Sequence, residues 1–168
     1  MLFRSKRVHD EALQGEGSLG VTYIAGNMIK IVNANVVRKS MILPKTALFF
    51  GFEELQFDLQ LKKAGYSLLV DKQIFYRHRK LYKRLNLHQP LLTKKSNKQL
   101  IRDYYSTRNL LYIMRENGFY IALIFVLLRS MLKSILGLIY GLAYGAINFK
   151  YQFKAILHFF TGRLGEVY

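Results

Sequence analysis

The sequence predicts an α/β fold in which the middle of the chain carries strands and helices and the last third is helical. Three short runs have the β-prone composition of strands, and they lie at 21–25, 28–32 and 66–71. Residues 53–64 place leucines at helical spacing, and beyond Gly118 the chain becomes aliphatic and aromatic with few charges. These changes divide the chain into segments at 1–20, 21–98 and 99–168.

The N-terminal segment, residues 1–20, is polar and rich in glycine. We expect it to be a loop or a flexible tail separated from a larger protein. It carries basic residues without a following apolar stretch, so the sequence predicts no secretory signal there.

The helix at 53–64 has clear start and stop signals. Its first turn holds Glu53 and Glu54 and its last turn holds two lysines, which is the order that the helix dipole favours. Gly65 follows and predicts the end of the helix. A strand at 66–71 and a second extended piece at 73–76 should then lead to His78.

A second long helix is predicted from residue 97 to 117. Ser96 is suited to cap its first turn, and Gly118 should end it. The basic segment before it, from Arg79 to Lys98, reads as a linker. His158, further on, matches no motif and is expected at the surface.

The charge balance indicates a negatively charged partner. Lys and Arg number 26 against 10 Asp and Glu, which gives a formal net charge of +16. Nucleic acid, anionic lipid head groups and phosphorylated small molecules all fit such a charge. No nucleic-acid-binding motif accompanies it, so we predict no nucleic-acid partner. There is no cysteine, which excludes disulfides and cysteine-based metal sites.

Two uncharged stretches suggest a membrane surface as that partner. They cover 118–128 and 134–149, and each is shorter than the about 20 apolar residues that a span needs. Arg129 and Lys133 lie between them and share one helical face, as cations do on a helix in the membrane plane. We therefore favour interfacial helices or a shallow hairpin over a span, with buried core helices as a further alternative.

The start of the helix at 53–64 concentrates acids. Three of the ten acidic residues, Glu53, Glu54 and Asp58, fall within six positions after a Phe-rich loop. They can be ordinary partners of the helix dipole. A carboxylate at this place is also suited to act as a general base in a cleft.

The stretch from Leu48 to Tyr66 resembles the acceptor-site motif of family 2 glycosyltransferases. That motif is a Phe-x-x-Glu-Asp loop followed by a helix that ends in Gly-Tyr. The resemblance implies that Glu53 matches the first acid and Glu54 the second, which the family uses as catalytic base. Two positions depart from the family: Glu54 replaces an Asp, and Gln60 stands where the family often has Arg.

The resemblance extends over the chain from about Thr22. Residues 25–37 resemble the Gly-Asn strand of the family, and 103–109 resemble the Tyr-Tyr-x-x-Arg-Asn helix of rhamnosyl- and galactofuranosyl-type members. The tail at 160–165 resembles their Gly-x-x-Gly end. The family resemblance implies that His78 completes the coordination of a divalent metal, Mg or Mn. It also implies that Arg108 and Asn109 bind the acceptor.

The family fold implied is the acceptor-side half of an A-type glycosyltransferase fold. The Asp-x-Asp motif of the donor half is absent from the sequence, so we expect an N-terminally truncated homologue that is inactive alone. The implied partners are a nucleotide-sugar, bound only with the missing half, and a glycan or lipid-linked acceptor at the cytoplasmic face of the cell membrane. The alternative is a non-catalytic, basic peripheral membrane-binding protein.

Overall fold

A computed structural model describes residues 10–24, 30–82 and 93–167. Their fold is mixed α/β with mainly helices and one two-stranded sheet. The strands are β1 (Ser18–Val21) and β2 (Leu68–Asp71). The helices are α1 (Ala34–Ser40), α2 (Glu53–Lys63), α3 (Lys72–Leu81), α4 (Asn97–Glu116), α5 (Tyr120–Leu136) and α6 (Leu142–Phe160).

The chain divides into two compact units. The C-terminal unit contains Lys45–Glu53 and the described residues from Thr93 onward, and the N-terminal unit contains the described residues up to Pro44 and from Glu54 to Tyr82. The boundary between the units therefore falls in the first turn of α2.

The N-terminal unit is built on an antiparallel strand pair. Ser18 of β1 faces Asp71 of β2, and Val21 faces Leu68. The strand therefore begins earlier than the predicted 21–25 run. Residues 30–32 are not a strand, and residues 25–29 lie outside the described part of the chain. Residues 10–20, which we expected to be a loop or tail, contain β1 and a 3-10 turn that buries Leu13.

The predicted extended piece at 73–76 is wrong, because these residues belong to α3. Asp71 explains the difference. It ends β2 with extended backbone angles, and its side-chain oxygen accepts a hydrogen bond at 2.8 Å from the backbone N–H of Ile74. This is an N-cap, which starts a helix directly after the strand. The last turn holds the basic residues His78, Arg79 and Lys80, and positive charge at this end interacts favourably with the helix dipole.

Helix α2 is confirmed almost residue for residue. It buries Leu55, Leu59 and Leu61 and ends at Lys63, two residues before Gly65, whose φ of +88° suits glycine. Lys62 and Lys63 lie in its last turn, as predicted from the sequence. Every residue from 55 to 59 is buried, including Gln56 and Asp58, so the middle of the helix is enclosed on most sides.

The C-terminal unit consists of three packed helices and the loop that precedes α2. Helix α4 begins with the predicted cap: Ser96 accepts from the Gln99 N–H, and the Gln99 side chain accepts from the Ser96 N–H, which forms a capping box. The main apolar contacts between the helices form two clusters around the buried residues Tyr104, Tyr105, Ala155, Leu111, Ile156 and Phe159.

Candidate functional site

The loop before α2, residues 46–52, has an unusual backbone. A 3-10 turn at Thr46–Leu48 is followed by Phe49, Gly51 and Phe52, with φ angles of 61°, 80° and 67°. Glycine adopts such angles freely, but a bulky side chain at positive φ is strained. Backbone strain of this kind costs of order 1–3 kcal/mol per residue and persists only where the surroundings enforce it.

Two buried side chains of α4 enforce it. The Asn109 amide nitrogen lies 2.8 Å from the carbonyl oxygen of Leu48, 2.7 Å from that of Phe50 and 3.0 Å from that of Gly51. Arg108 Nη2 also donates to the Leu48 carbonyl, at 3.3 Å. Both side chains are fully buried. We call Arg108 and Asn109 the α4 clamp.

The C-terminal tail completes the clamp. Arg108 Nη1 donates to the carbonyl oxygen of Gly165 at 2.9 Å, and the Gly165 N–H donates to the Ala47 carbonyl at 2.7 Å. Arg108 Nε also donates to the side-chain oxygen of Asn109, at 3.0 Å, which fixes the amide orientation. The loop therefore lies between the clamp and the tail, and its carbonyl groups at Ala47, Leu48, Phe50 and Gly51 accept hydrogen bonds from them.

The base of the loop is fixed by Lys45. Its ammonium group donates to the Tyr112 hydroxyl and, at 3.2 Å, to the Glu116 carboxylate, both on α4. Burial alone lowers the pKa of Lys45, but these two hydrogen bonds outweigh it and raise the pKa above its ordinary value. Lys45 is therefore a firmly charged attachment point.

The loop leads directly into the acid pair. Glu53 and Glu54 are the first two residues of α2, and both are half-buried. The Glu53 Oε2 atom is shielded from solvent and has no hydrogen-bond partner among the described residues. A buried carboxylate oxygen without a partner is costly, and native structures rarely retain one without a use for it.

Arg108 and Asn109 thus lie in the same unit as Glu53 and the strained loop. Their described hydrogen bonds go to protein groups, and the acceptor-binding role remains a prediction. Sequence reasoning missed the clamp because its partners are distant: Arg108 and Gly165 are 57 positions apart. The available signal was an adjacent Arg-Asn pair directly before the apolar pair Leu110-Leu111 in one helix.

His78, the predicted metal ligand, lies in the N-terminal unit on α3. Its Nδ1 atom is buried without a hydrogen-bond partner in the described structure, and its ring lies 4.5 Å from that of Tyr82. Within residues 10–24, 30–82 and 93–167, no three His, Cys, Asp or Glu side chains are grouped so that they could hold a metal ion. His78 therefore does not form a metal site with the other described side chains.

Asp58 is a buried acid with a clear structural partner. Its carboxylate is fully buried in α2, pairs with Lys30 at 2.8 Å and accepts the Ile24 N–H at 2.8 Å. The two contacts connect the chain on either side of 25–29 to the helix. Asp58 lies three residues from both Leu55 and Leu61, on the same side of α2. This spacing is the sequence signal for a buried ion pair such as Asp58–Lys30.

His158 is buried, so its predicted surface position is wrong. Its Nδ1 atom lies 2.6 Å from the Tyr104 hydroxyl, which also accepts from Arg108 at 3.4 Å. Burial first, and then the positive charges of Arg163, Lys154 and Arg108, lower the pKa of His158 below its ordinary value. His158 thus supports the clamp from α6.

Comparison with known proteins adds no relative: no protein-family model, curated protein or solved structure matches this chain.

Proposed function

We propose that the chain is the acceptor-side, membrane-associated part of a family 2 glycosyltransferase with a partial A-type fold. The substrates would be a nucleotide-sugar donor and a glycan or lipid-linked acceptor. The sequence resemblance names the family, and the order of its motifs from Thr22 to Gly165 supports it.

The observation that carries the proposal is the strained, clamped loop in front of the acid pair. Backbone strain held in place by surrounding hydrogen bonds is a recurrent property of functional loops. Arg108 and Asn109 belong to the segment 103–109, and the loop and the acids belong to the segment 48–66. Each segment resembles a different motif of the family. Hydrogen bonds from Arg108 and Asn109 hold the loop that leads into the acid pair. The two motifs are therefore connected through these contacts.

In the proposed reaction Glu54 is the catalytic base. Its carboxylate takes the proton of an acceptor hydroxyl, whose oxygen attacks the anomeric carbon of the donor sugar. The bond from that carbon to the diphosphate breaks, the nucleoside diphosphate leaves with the electron pair, and the configuration inverts. Glu53 supports the acid pair, and the α4 clamp acts as a positioning element for the loop.

Donor binding requires groups beyond the described residues. The chain has no Asp-x-Asp motif, and His78 has no grouped acidic or imidazole companions in the described structure. A divalent metal, Mg or Mn, would neutralise the leaving diphosphate in such a reaction. His78 as its ligand stays a prediction.

Complementation in the source cell tests the proposal with whatever donor-binding groups the cell supplies. The gene is deleted, and wild-type, Glu54→Gln or Glu16→Gln chains are returned at equal abundance. Lipid-linked saccharides and surface glycans are then profiled by mass spectrometry. We expect the deletion to remove a defined sugar, and Glu54→Gln to lower its transfer about 10²–10⁴-fold, the usual contribution of a general base.

Glu16→Gln is the matched control, since Glu16 is an exposed acid outside the resembling motifs. It should restore the sugar fully. Restoration by Glu54→Gln at the wild-type rate would overturn Glu54 as the base. An unchanged glycan profile in the deleted strain would overturn the glycosyltransferase proposal itself.

The second candidate is a non-catalytic, basic protein that binds the membrane surface. The net charge of +16 and the apolar exposure of α5 favour it. In that case the deletion phenotype would be restored by Glu54→Gln but not by variants that cannot reach the membrane. Adding a variant that cannot reach the membrane to this set of strains separates the two functions.

A further inference from the structure

Helix α5 turns its apolar side chains outward. Phe125 is 72% exposed and Leu128 60%, whereas the buried polar positions are Ser130 and Ser134. The exposed residues recur at helical spacing on one side of the helix: Ile121, Ile124, Phe125, Leu128, Met131, Leu132 and Ile135. A water-facing helix has the opposite arrangement.

Helix α6 also exposes apolar side chains. Its buried side is mixed, with the polar residues Asn148, Gln152 and His158 beside the apolar residues Ala155, Ile156 and Phe159. Its exposed side carries a row of large apolar residues: Leu142, Phe149, Phe153, Leu157 and Phe160. Leu142 is 81% exposed, and the rings of Phe149 and Phe153 stack in parallel 5.8 Å apart.

The two helices run antiparallel, which brings their apolar rows together. The Asn148 side chain donates to the Lys133 carbonyl at 3.0 Å, and at the other end Leu123 and Val126 pack against Ile156 and Phe159. In this register Leu128 and Leu132 lie level with Phe153 and Phe149. The outer surface of the pair is thus one continuous apolar face, which we call the α5–α6 face.

The packing between the helices is typical of proteins in lipid. A Cβ atom at Gly137 would lie 2.6 Å from the Asn148 amide nitrogen, and one at Gly145 would clash with Leu138. Ser134 donates to the Ser130 carbonyl at 2.8 Å. Small residues at close contacts and polar groups bonded between and within helices are what holds helices together where no water drives them.

Cations border the face. Arg129 and Lys133 lie beside it on α5, and Lys150 and Lys154 lie beside it on α6. Arg129 and Lys150 are near the middle of their helices, Lys154 lies one turn beyond Lys150, and Lys133 lies in the last turn of α5. In the antiparallel register all four fall within about 9 Å along the pair, at 1.5 Å per residue. A hairpin that crossed the bilayer would therefore bring all four charges near its centre, the least favourable depth for them.

The candidate span that length and composition alone allow, Tyr120–Tyr140, contains Arg129 and Lys133. Only 17% of its most apolar 18-residue stretch is buried against the rest of the protein. Most of these apolar residues would therefore be more stable in an apolar environment than in water. Lying in the membrane plane provides that environment and leaves the bordering cations among the head groups.

We propose that the α5–α6 face lies flat in the surface of an anionic bilayer, with its apolar side chains among the acyl chains and its four cations on lipid phosphates. The partner is identified by complementarity: an apolar face bordered by cations, in a chain of net charge +16, fits negatively charged lipid. This inference does not depend on the glycosyltransferase proposal.

Vesicle binding tests the partner. The purified full chain is sedimented with phosphatidylcholine vesicles that contain either no phosphatidylserine or 30% of it. Leu128→Glu should weaken binding to the anionic vesicles at least about tenfold, since a charge enters the apolar face. Leu81→Glu is the matched control, because Leu81 is 75% exposed on α3 and should bind as the wild type does.

The double variant Lys150→Gln/Lys154→Gln tests the bordering cations. It should lose about tenfold or more on anionic vesicles and little on neutral ones. Equal binding of wild type, Leu128→Glu and the double variant would overturn the proposal. So would a lipid-free dimer that Leu128→Glu separates without changing vesicle binding, since a second copy would then be the partner.

Single-cysteine labelling separates the flat arrangement from a span. The chain has no native cysteine, so Ala143→Cys and Thr161→Cys, at opposite ends of α6, each supply one exposed thiol. A membrane-impermeant maleimide added outside sealed vesicles should label both. Labelling of only one of them would contradict the flat arrangement and favour a spanning hairpin.

Discussion

Helices α4 and α5 follow each other in one unit yet have opposite polarity. Helix α4 buries Leu100, Leu111 and Ile113 and exposes Lys98 and Arg102. Helix α5 buries serines and exposes leucine, isoleucine and phenylalanine. The same helical period serves both, and the contrast agrees with the proposal of water beside α4 and lipid beside α5.

The contrast also separates two uses of buried polar groups. On α4 the clamp residues Arg108 and Asn109 hold a strained loop through its carbonyl groups. On the α5–α6 pair, Ser134 and Asn148 bond to helix carbonyl groups. The first arrangement shapes a candidate site, whereas the second lies within the pair of helices that we propose faces lipid.

The largest expected effect comes from a pair of equal truncations. Leu111→Ala should lower the free energy of unfolding by about 2–5 kcal/mol, because Leu111 is fully buried. Leu128→Ala should change it by less than about 0.5 kcal/mol, because its side chain already faces outward. Denaturant unfolding in detergent, followed by tyrosine fluorescence, measures both. Equal losses would break the comparison between the helices.

The clamp is expected to contribute slightly less. Asn109→Ala leaves the carbonyl groups of Leu48, Phe50 and Gly51 without their amide donor, and should cost about 1–3 kcal/mol. Faster amide hydrogen exchange at 48–53 should accompany the loss. Asn97→Ala, at an exposed position of the same helix, is the control and should leave the loop unchanged. An unchanged exchange rate in Asn109→Ala would argue against the clamp.

The cap of α4 should contribute about 1 kcal/mol. Ser96→Ala removes the side-chain oxygen that accepts from the Gln99 N–H. Thr93→Ala, an exposed change just upstream, should cost nothing measurable. The same unfolding assay compares them, and a loss no larger than that of the control would show that the capping box contributes nothing.

The smallest expected effect is a pH dependence from His158. Its pKa is lowered in the folded state, so the unfolded chain binds the proton more strongly. The stabilisation is complete above the ordinary pKa of about 6.5 and is lost as pH falls towards and through the folded pKa. His158→Gln should flatten the fall of the melting temperature between pH 7.5 and 5, and an unaltered slope would contradict this cause.

Local signals predicted a good part of the fold. The Ser96 cap and the ends of α2 were predicted from residues adjacent in sequence, and both are confirmed. The 73–76 error came from Asp71, which closes a strand and caps a helix at once. Composition permitted both extended and helical structure there, and only the hydrogen bond to the Ile74 N–H decides between them.

The candidate site was less accessible to sequence reasoning. The acid pair and the Arg-Asn pair were both singled out, but their connection was not, because Leu48 and Arg108 lie 60 positions apart. The polarity of α5 was equally hidden. Hydropathy counts how apolar the helix is, while the spacing of Ser130 and Ser134 against Leu128 and Leu132 shows which side faces outward.

Nitroxide depth profiling along α5 tests the lipid-facing assignment most directly. Single labels at Ile121, Phe125, Leu128 and Leu132 are introduced into the cysteine-free chain bound to anionic vesicles. For a helix that lies flat in the membrane surface, we expect similar shallow depths of about 5–10 Å below the head groups at all four positions. A label at Arg102 should be in water. A steady change in depth of roughly 16 Å from 121 to 132, at 1.5 Å per residue, would show a spanning helix and contradict the account.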